Sequence, residues 1–568
     1  MPRRPLLGID DTSRMRWVPM KILTAKEMRE VDVRTVEQYG VAATTLMENA
    51  GAAVARFVLR EFPDYARITI LCGRGNNGGD GFVAARALAE AGRVVAVLLL
   101  GEAADLKGDA KVMFERLPQR ALFAKDEAAL DEPSVRALFS NTELFLDAVV
   151  GTGFQPPLRG VVAALAERIH GLEAPVVAVD LPSGWDADSR GADSPGAFRA
   201  DAVVTFTAPK PAHLFGNMTR GGIVVAGIGS PEEAIISTTG LTWSGAAAEV
   251  SHKPRVPDSN KGMFGHVLVV GGAKGTAGAA AMASVSALRA GAGLVTAAVP
   301  ESILPTVARA ALELMTVPLV QGKHGEIARV NADPERLKFL IEKITVLAVG
   351  PGISQHPETA EFVIELVRQS RLPLVLDADA LNIVSKNPEL LDGSQRPVII
   401  TPHPGEMARL IGGSVKDVQA DRENTARNFA TRHQVTVVLK GWRTLIAHPN
   451  GAVAVNTTGN PGMAKGGSGD ILTGIVAAMV AQYARDPAAE NVAAAVTAAV
   501  YLHGLAADLA VLEQDEHTLL ATDTVSHLCN AFRYRSKDKG GYVWLQGFPN
   551  AEDRRYDSGD NQQRRPGV

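Results

Sequence analysis

Asn460-Pro-Gly-Met-Ala-Lys-Gly-Gly-Ser-Gly-Asp470 runs without a break into Ile471-Leu-Thr-Gly-Ile-Val-Ala-Ala-Met-Val480. A glycine-rich turn enters an apolar run of helix length, with one carboxylate at the junction. Glycines let successive backbone N–H groups converge on an anion. The helix N-terminus adds the positive end of its dipole. Asp470 then stands where a phosphate and an acceptor hydroxyl could meet. Phosphoryl transfer needs that arrangement: placed donors and a base for the attacking oxygen. An Asp at a helix start can also be an ordinary N-cap, so the surrounding sequence has to support the reading.

Upstream, short apolar runs predict strands over Val267–Val270, Val295–Val299, Val346–Val349, Leu374–Asp377, Val398–Thr401 and Val435–Leu439. Helices are expected over Ala279–Ala290 and Ile471–Tyr483. Gly271-Gly-Ala-Lys-Gly-Thr-Ala-Gly278, Gly350-Pro-Gly352, Asp377-Ala-Asp-Ala-Leu-Asn382, Thr401-Pro-His-Pro-Gly-Glu406 and Lys440-Gly-Trp-Arg-Thr444 each follow a strand. One sheet edge thus repeatedly carries glycine, acid or histidine. His403, held between Pro402 and Pro404, reads as a ligand contact.

The N-terminal half has the same rhythm. Thr24-x-x-Glu27 is a capping box, and Gly40 ends the helix it opens. Strands are expected over Ile68–Cys72, Val94–Leu100, Leu144–Val149, Val176–Asp180 and Val203–Thr207. Continuous apolar runs separated by helices indicate parallel sheets covered on both faces. Gly73-Arg-Gly-Asn-Asn-Gly-Gly-Asp-Gly81 joins a strand to a helix, the usual cradle for a phosphate or pyrophosphate. Asn76, Asn77 and Asp80 add oxygens that suit a cation or a ribose. Asn77, Asp147, Asp180 and Ser183 all fall at carboxyl ends of strands, where open α/β sheets bind ligands. Their oxygens suit a hard cation. Lys210 and His213 are candidates for phosphate contacts, a surface position being equally open.

At 568 residues the chain exceeds a single core. The boundaries read as an extension over 1–19, a first domain over 20–229, a linker over 230–256, a second domain over 257–535 and a polar tail over 536–568. The Arg-rich first residues lack an apolar core, so they are not read as a secretory signal, and Met20-Lys-Ile-Leu-Thr resembles a natural start. A net charge of −4 gives no sign of a nucleic-acid or membrane surface. The two cysteines, Cys72 and Cys529, exclude a disulfide framework and suggest a reducing cytoplasm. No run of about 18 apolar residues is apparent, so no membrane-spanning helix is expected.

The N-terminal motifs GNNGGDG (75–81), DAVVGTGFQPPLRG (147–160), AVDLPSGWDAD (178–188) and APKPAHLFG (208–216) together resemble the NAD(P)H-hydrate epimerase family. The resemblance implies that Asn76, Asn77, Gly78, Gly79 and Asp80 hold the hydrated dinucleotide, with Gly151, Thr152, Gly153, Phe154, Gln155, Pro156 and Pro157. It implies K+ on Asn77, Asp147 and Ser183, and contact of Asp180 with the substrate near the reacting carbon. The implied reaction interconverts R and S hydrates at C6 of NADH or NADPH. Asp180 is the expected acid/base, because inverting that centre moves a proton.

FGHVLVVGGAKGTAGAA (264–280), VGPG (349–352), DADALN (377–382), TPHPGE (401–406), LKGWRT (439–444) and GNPGMAKGGSGDILTG (459–474) resemble the ADP-dependent NAD(P)H-hydrate dehydratases of the ribokinase-like superfamily. The resemblance implies that Ala279, Gly352, His403 and Asp470 contact the hydrate. Lys440, Gly441, Trp442, Arg443, Thr444 and Gly469 would contact the nucleotide. Asp470 would deprotonate the C6 hydroxyl, which attacks ADP; phosphate then leaves and AMP is released, with Mg2+ on the nucleotide. Lys465, Trp442 and Arg443 depart from the smaller residues expected there and bear on the choice of ADP or ATP. The expected fold is therefore an N-terminal Rossmann-like three-layer α/β domain followed by a ribokinase-like α/β domain, and the resemblance implies a homo-oligomer. The rival reading is a ribokinase-like small-molecule kinase with a noncatalytic N-terminal binding domain.

Overall fold

Thr24 and Glu27 close the expected capping box: Glu27 N–H donates to Thr24 Oγ1 at 3.2 Å, and Thr24 N–H donates to Glu27 Oε2 at 2.9 Å. Such a cap contributes ~1 kcal/mol. Helix α1 (Ala25–Tyr39) follows and stops at Gly40, whose φ of 71° suits glycine. The computed structural model describes residues 18–252, 254–486 and 488–549. Contacts divide these into two units, Lys21–Trp243 with the described residues from Tyr534 on, and Ser244–Arg533.

In the first unit, helices α2 (Ala43–Glu61) and α3 (Asn76–Glu90) pack closely. A Cβ on Gly51 would lie 2.4 Å from the Asp80 carbonyl oxygen, so only glycine permits the approach. The strands are β1 (Arg67–Cys72), β2 (Val94–Leu99), β3 (Leu122–Phe123), β4 (Leu144–Ala148), β5 (Val176–Val179), β6 (Ala202–Phe206) and β7 (Ile223–Ala226). They lie parallel in the order β3-β2-β1-β4-β5-β6-β7. The direction of winding reverses between β1 and β4, the point where a doubly wound sheet opens a crevice. Leu144–Ala148 and Val176–Val179 are buried along their whole length, as strands covered on both faces must be.

The expected tail and linker are both structured in part. Tyr542–Gln546 is a strand antiparallel to β7, with Trp544 opposite Val224. Trp544 Nε1–H donates to Asp538 Oδ2 at 2.7 Å, and its ring lies 6.1 Å from Phe57. Tyr542 donates its hydroxyl to the Ala53 carbonyl at 2.7 Å. This strand covers an edge that β7 would otherwise leave unpaired. Thr238, within the expected linker, donates its N–H and hydroxyl to Glu27 Oε1 at 2.6 and 2.8 Å. The segment before Ser244 thus belongs to the first unit and the segment after it to the second. The expected extension over 1–19 and the tail beyond Pro549 fall almost wholly outside the described residues.

The second unit has strands β8 (His266–Val270), β9 (Leu294–Pro300), β10 (Met315–Leu319), β11 (Val346–Val349), β12 (Leu374–Leu376), β13 (Val398–Ile400), β14 (Thr436–Leu439), β15 (Leu445–Ala447) and β16 (Val453–Val455). Their order is β16-β15-β14-β13-β12-β11-β8-β9-β10. All neighbours are parallel except the β14–β15 and β15–β16 pairs. Helices α4 (Ala277–Arg289) and α6 (Ser468–Tyr483) pack on the sheet, and α5 (Pro404–Ile411) and α7 (Ala489–Ala510) pack against other helices, α7 against α6. Gly474 lets α6 meet α4, since a Cβ there would lie 2.0 Å from the Ala283 carbonyl oxygen. Helix α7 corrects one expectation. Its 22 residues are long and apolar enough to cross a membrane by length and composition, but 89% of the apolar window is buried inside the protein. It is the core helix of this unit.

Candidate functional sites

In the first unit the loops after β1, β4 and β5 meet at the crevice. Asp180 follows β5 with a φ of 67°, a backbone region that Asp tolerates better than most residues. Its Oδ1 accepts from Lys210 Nζ at 2.7 Å and from the Thr205 hydroxyl at 2.8 Å. Lys210 also donates to Thr205 Oγ1 at 2.8 Å. His213 Nδ1 accepts from the Lys210 N–H at 3.0 Å, so its Nε2–H donates to the Asp180 carbonyl at 2.7 Å. Burial and the nearby Lys210 charge push His213 down to about 4, so the ring is neutral. Burial alone would raise Asp180, but Lys210, His213 and the hydrogen bonds outweigh it and hold the carboxyl below its ordinary range. Lys210 and His213 are therefore buried partners of Asp180 rather than surface groups.

A cavity of about 810 Å³ opens over this cluster, lined by Asn76, Asn77, Asp80, Gly151, Thr152, Gly153, Phe154, Asp180 and Lys210. Gln155, Pro156 and Pro157 line a neighbouring cavity of about 360 Å³. Gly78 and Gly79 are absent from both linings and are closely packed. A Cβ on Gly78 would lie 2.0 Å from the Gly73 carbonyl oxygen, and one on Gly79 would lie 2.5 Å from Met47 Sδ. The cavity also exposes Asp32, which no motif had singled out. Burial lifts Asp32 to about 6, with Lys210 opposing and Asp180 adding. Burial holds Asp80 well above the carboxylate range, and Asp180 and Asp32 add to the effect.

Asp147 and Ser183 are fully buried and bonded to each other. Asp147 Oδ1 accepts the Ser183 hydroxyl at 2.6 Å, and Oδ2 accepts the Ser183 N–H at 2.7 Å. Burial raises Asp147 to about 6 against these bonds. Asn77 Nδ2 is buried without a hydrogen-bond partner. Nδ2 is a donor and no cation ligand; the oxygens this set offers are those of Asp147 and Ser183 with Asn77 Oδ1, a type that suits a hard cation. Among the described residues no three His, Cys, Asp or Glu side chains converge on a metal position.

In the second unit Lys440 ends β14 and donates to Asp377 Oδ1 at 2.8 Å. Asp377 Oδ2 accepts the Thr473 hydroxyl of α6 at 2.8 Å. Glu406 lies 3.8 Å from Lys440. Burial would lower Lys440, but Asp377 and Glu406 outweigh it and keep the ammonium charged. Asp470 sits in the first turn of α6. Burial, reinforced by Asp377 and opposed by Lys440, raises it to about 6. His403 Nδ1 accepts from the Gly405 and Glu406 N–H groups at 2.9 and 3.3 Å, capping α5.

A cavity of about 660 Å³ is lined by His403, Lys440, Gly441, Trp442, Arg443, Thr444 and Gly469. Six of these are the expected nucleotide contacts, brought together from two loops. Ala279, Gly352 and Asp470 do not line that cavity. Ala279 and Gly352 instead adjoin each other, since a Cβ on Gly352 would lie 2.9 Å from Ala279 Cβ. The departures from the expected loop are used structurally. Arg443 is buried, donating to the Thr457 carbonyl at 2.9 Å and stacking 4.3 Å from the Trp442 ring. Lys465 Nζ donates to the His517 carbonyl at 2.6 Å. Asp377, Glu406 and Thr473 had no assigned role in the sequence, although two of them stand in the DADALN and TPHPGE motifs.

Comparison with known proteins gives a consistent picture. Residues 267–530 match a family model described as NAD(P)H-hydrate dehydratase, and residues 43–212 match one described as YjeF-related protein N-terminus. The bifunctional NAD(P)H-hydrate repair enzyme Nnr of Moorella thermoacetica is 39% identical over 521 residues, covering 90% of this chain and 96% of its own. The enzyme of the same name from Thermofilum pendens is 36% identical, covering 91% and 97%. A solved ADP/ATP-dependent NAD(P)H-hydrate dehydratase from Bacillus subtilis, co-crystallised with ATP and Mg2+, is 33% identical. It covers 50% of this chain and 96% of its own, with a TM-score of 0.43.

Proposed function

The chain belongs to the family of bifunctional NAD(P)H-hydrate repair enzymes, and we propose that it restores hydrated nicotinamide cofactors in two steps. The first unit interconverts the R and S hydrates of NADH and NADPH at C6. The second dehydrates the S form with ADP, releasing AMP and phosphate. The observation that carries this reading is Asp470 at the start of α6, its carboxyl raised to about 6, within electrostatic reach of Lys440, which lines the adjoining cavity.

Asp470 takes the proton of the C6 hydroxyl, and the oxygen attacks the terminal phosphorus of ADP. The new O–P bond forms as the bridging P–O bond breaks and AMP departs. The backbone N–H groups of Gly466–Gly469 stabilise the charge on the transferring group. Phosphate then leaves C6 with the C–O electron pair, and loss of a C5 proton closes the double bond. Hydroxide is a poor leaving group, and phosphorylation removes that obstacle. Lys440–Thr444 and Gly469 hold the nucleotide, and Ala279, Gly352 and His403 contact the hydrate. Mg2+ on the nucleotide phosphates would neutralise their charge; such an ion needs at most one or two protein carboxylates. In the first unit Asn76–Asp80 and Gly151–Pro157 hold the dinucleotide, Asn77, Asp147 and Ser183 would hold K+, and Asp180 exchanges a proton at the reacting centre. The proposal includes a cytoplasmic setting, in keeping with free Cys72 and Cys529, and a homo-oligomer, which light scattering tests.

The test follows absorbance at 340 nm with mixed R and S NADH hydrate, ADP, Mg2+ and K+. Full recovery is expected from the wild type and none from Asp470→Ala. Asp180→Ala should recover only the S fraction plus what epimerises spontaneously. A stable phosphorylated product in place of NADH would instead support the kinase reading.

A further inference from the structure

We infer that Asp32 of α1 is the second catalytic group of the epimerising site: it gives its proton to the departing C6 hydroxyl while Asp180 takes one from the water that enters on the other face. The inference rests on the epimerase reading of the first unit and divides between two carboxyls a task that the family resemblance assigns to Asp180 alone.

Inversion at a carbon bearing both a nitrogen and a hydroxyl needs an acid and a base. Asp180 does not hold the proton at the start of this step. Its carboxylate is bridged by Lys210 and Thr205 at 2.7 and 2.8 Å, and that pairing keeps it ionised. Asp80 lines the cavity as well, and burial, with Asp180 and Asp32 nearby, drives its proton affinity well above the carboxylate range. Asp32 is half-buried, lines the same cavity from a different element, and has a proton affinity close to ambient pH, where exchange in both directions is efficient. Paired carboxyls whose surroundings drive their proton affinities apart are the usual mark of an acid and a base. The other charged and titratable groups lining the cavity are Arg29 and Glu37 on α1 itself, Arg74 after β1, Asp80 on α3, Asp109, Asp180 and Lys210.

The second unit repeats the arrangement. There Asp377 is bridged by Lys440 and Thr473, and the neighbouring carboxyl with raised proton affinity is Asp470, the proposed base. Asp377 corresponds to Asp180, and Asp470 to Asp32.

The step balances. The Asp32 proton moves to the hydroxyl oxygen, the C6–O bond breaks, and water departs as the N1 electron pair forms the C6=N1 double bond. Water adds to the opposite face, its oxygen bonding to C6 as the N1 pair is restored, and its proton goes to Asp180. Asp32 is left ionised and Asp180 protonated, the state that serves the reverse direction.

The experiment uses the full-length chain. Pure R hydrate without ADP is followed by chromatographic separation of the epimers, above the spontaneous rate. ADP-dependent dehydration of S hydrate is the control in the same samples. Asp32→Asn is expected to lower kcat for epimerisation by about 100-fold or more with little change in KM, leaving dehydration unchanged. Wild-type epimerisation should fall as pH rises through about 6, as Asp32 loses its proton. That fall should vanish from the residual activity of Asp32→Asn, and Asp32→Glu should recover part of the rate. A loss under about threefold, where general acid catalysis is worth 10²–10⁴, or a loss that keeps the wild-type pH profile, overturns the inference. If Asp180→Asn epimerises normally, the reading of the whole site fails; if Asp180→Asn is inactive while Asp32→Asn is active, only the role of Asp32 fails.

Discussion

Asp180 and Asp377 stand at equivalent places in two different sheets, each following a buried parallel strand and each bridged by a lysine and a threonine. The Lys210–Asp180 contact is 2.7 Å and the Lys440–Asp377 contact 2.8 Å. The lysines differ in what else they meet. Lys210 has a side chain only 2% exposed and serves as an internal counter-ion. Lys440 is 22% exposed, touches Glu406 and lines the nucleotide cavity. One ion pair holds a carboxylate ionised, and the other presents positive charge to a cavity.

The strongest way to break this comparison is at the two carboxylates beside the pairs. Asp470→Asn should reduce ADP-dependent dehydration of S hydrate by roughly 10²–10⁴-fold, the range for loss of a positioned base. Epimer exchange without ADP should be unchanged. A dehydration rate within tenfold of wild type, far short of that range, would remove Asp470 from the chemistry.

The lysines should separate by stability. Lys210→Met leaves a buried carboxylate without its partner, and breaking such a pair costs about 3–5 kcal/mol. Chemical denaturation should show that loss in the first unit. Lys440→Met, at a more open pair, should cost less and instead raise KM for ADP. Equal costs at the two sites would deny the difference in burial its importance.

A smaller effect is expected from pH. Burial and Asp377 raise Asp470 to about 6, and a base must be unprotonated. Dehydration should therefore hold above that value and fall about tenfold per pH unit well below it, in proportion to the ionised fraction. With epimerisation losing rate on the alkaline side, the two activities of one chain should show opposite limbs. Parallel profiles would mean that the two raised carboxyls act in the same protonation state.

The smallest effect concerns Trp442. Its ring is half exposed and carries Arg443 at 4.3 Å. An exposed cation–π contact is worth about 0.5–1 kcal/mol, so Trp442→Ala should change KM for ADP only a few-fold, with kcat preserved. A large fall in kcat would place the loop in the chemistry.

Most strands and every glycine loop at the sheet edges were legible, because a buried parallel strand is a continuous apolar run and its loop must carry small or polar residues. Thr24, Glu27 and Gly40 marked the bounds of α1 for an equally local reason. The strand Tyr542–Gln546 was obscured by charged neighbours, and its partner β7 lies more than 300 residues away. The close packing at Gly78 and Gly79 was not legible, because a glycine that permits an approach of chain segments looks the same in sequence as one that cradles a phosphate. Helix α7 escaped notice because polar residues interrupt a surface that the fold buries all the same.

Sequence by itself determined the alternation of strands and helices, the loops that line the cavities, the position of Asp470 and the family. These follow from residues adjacent along the chain, where periodicity and turn chemistry act. Tertiary structure decided which carboxyl is ionised. Asp32 sits in a helix without any motif, and Lys210 reaches Asp180 from 30 residues away. A proton affinity is set by burial and by charges in space, and only folding brings α1, β5 and the Lys210 segment around one cavity.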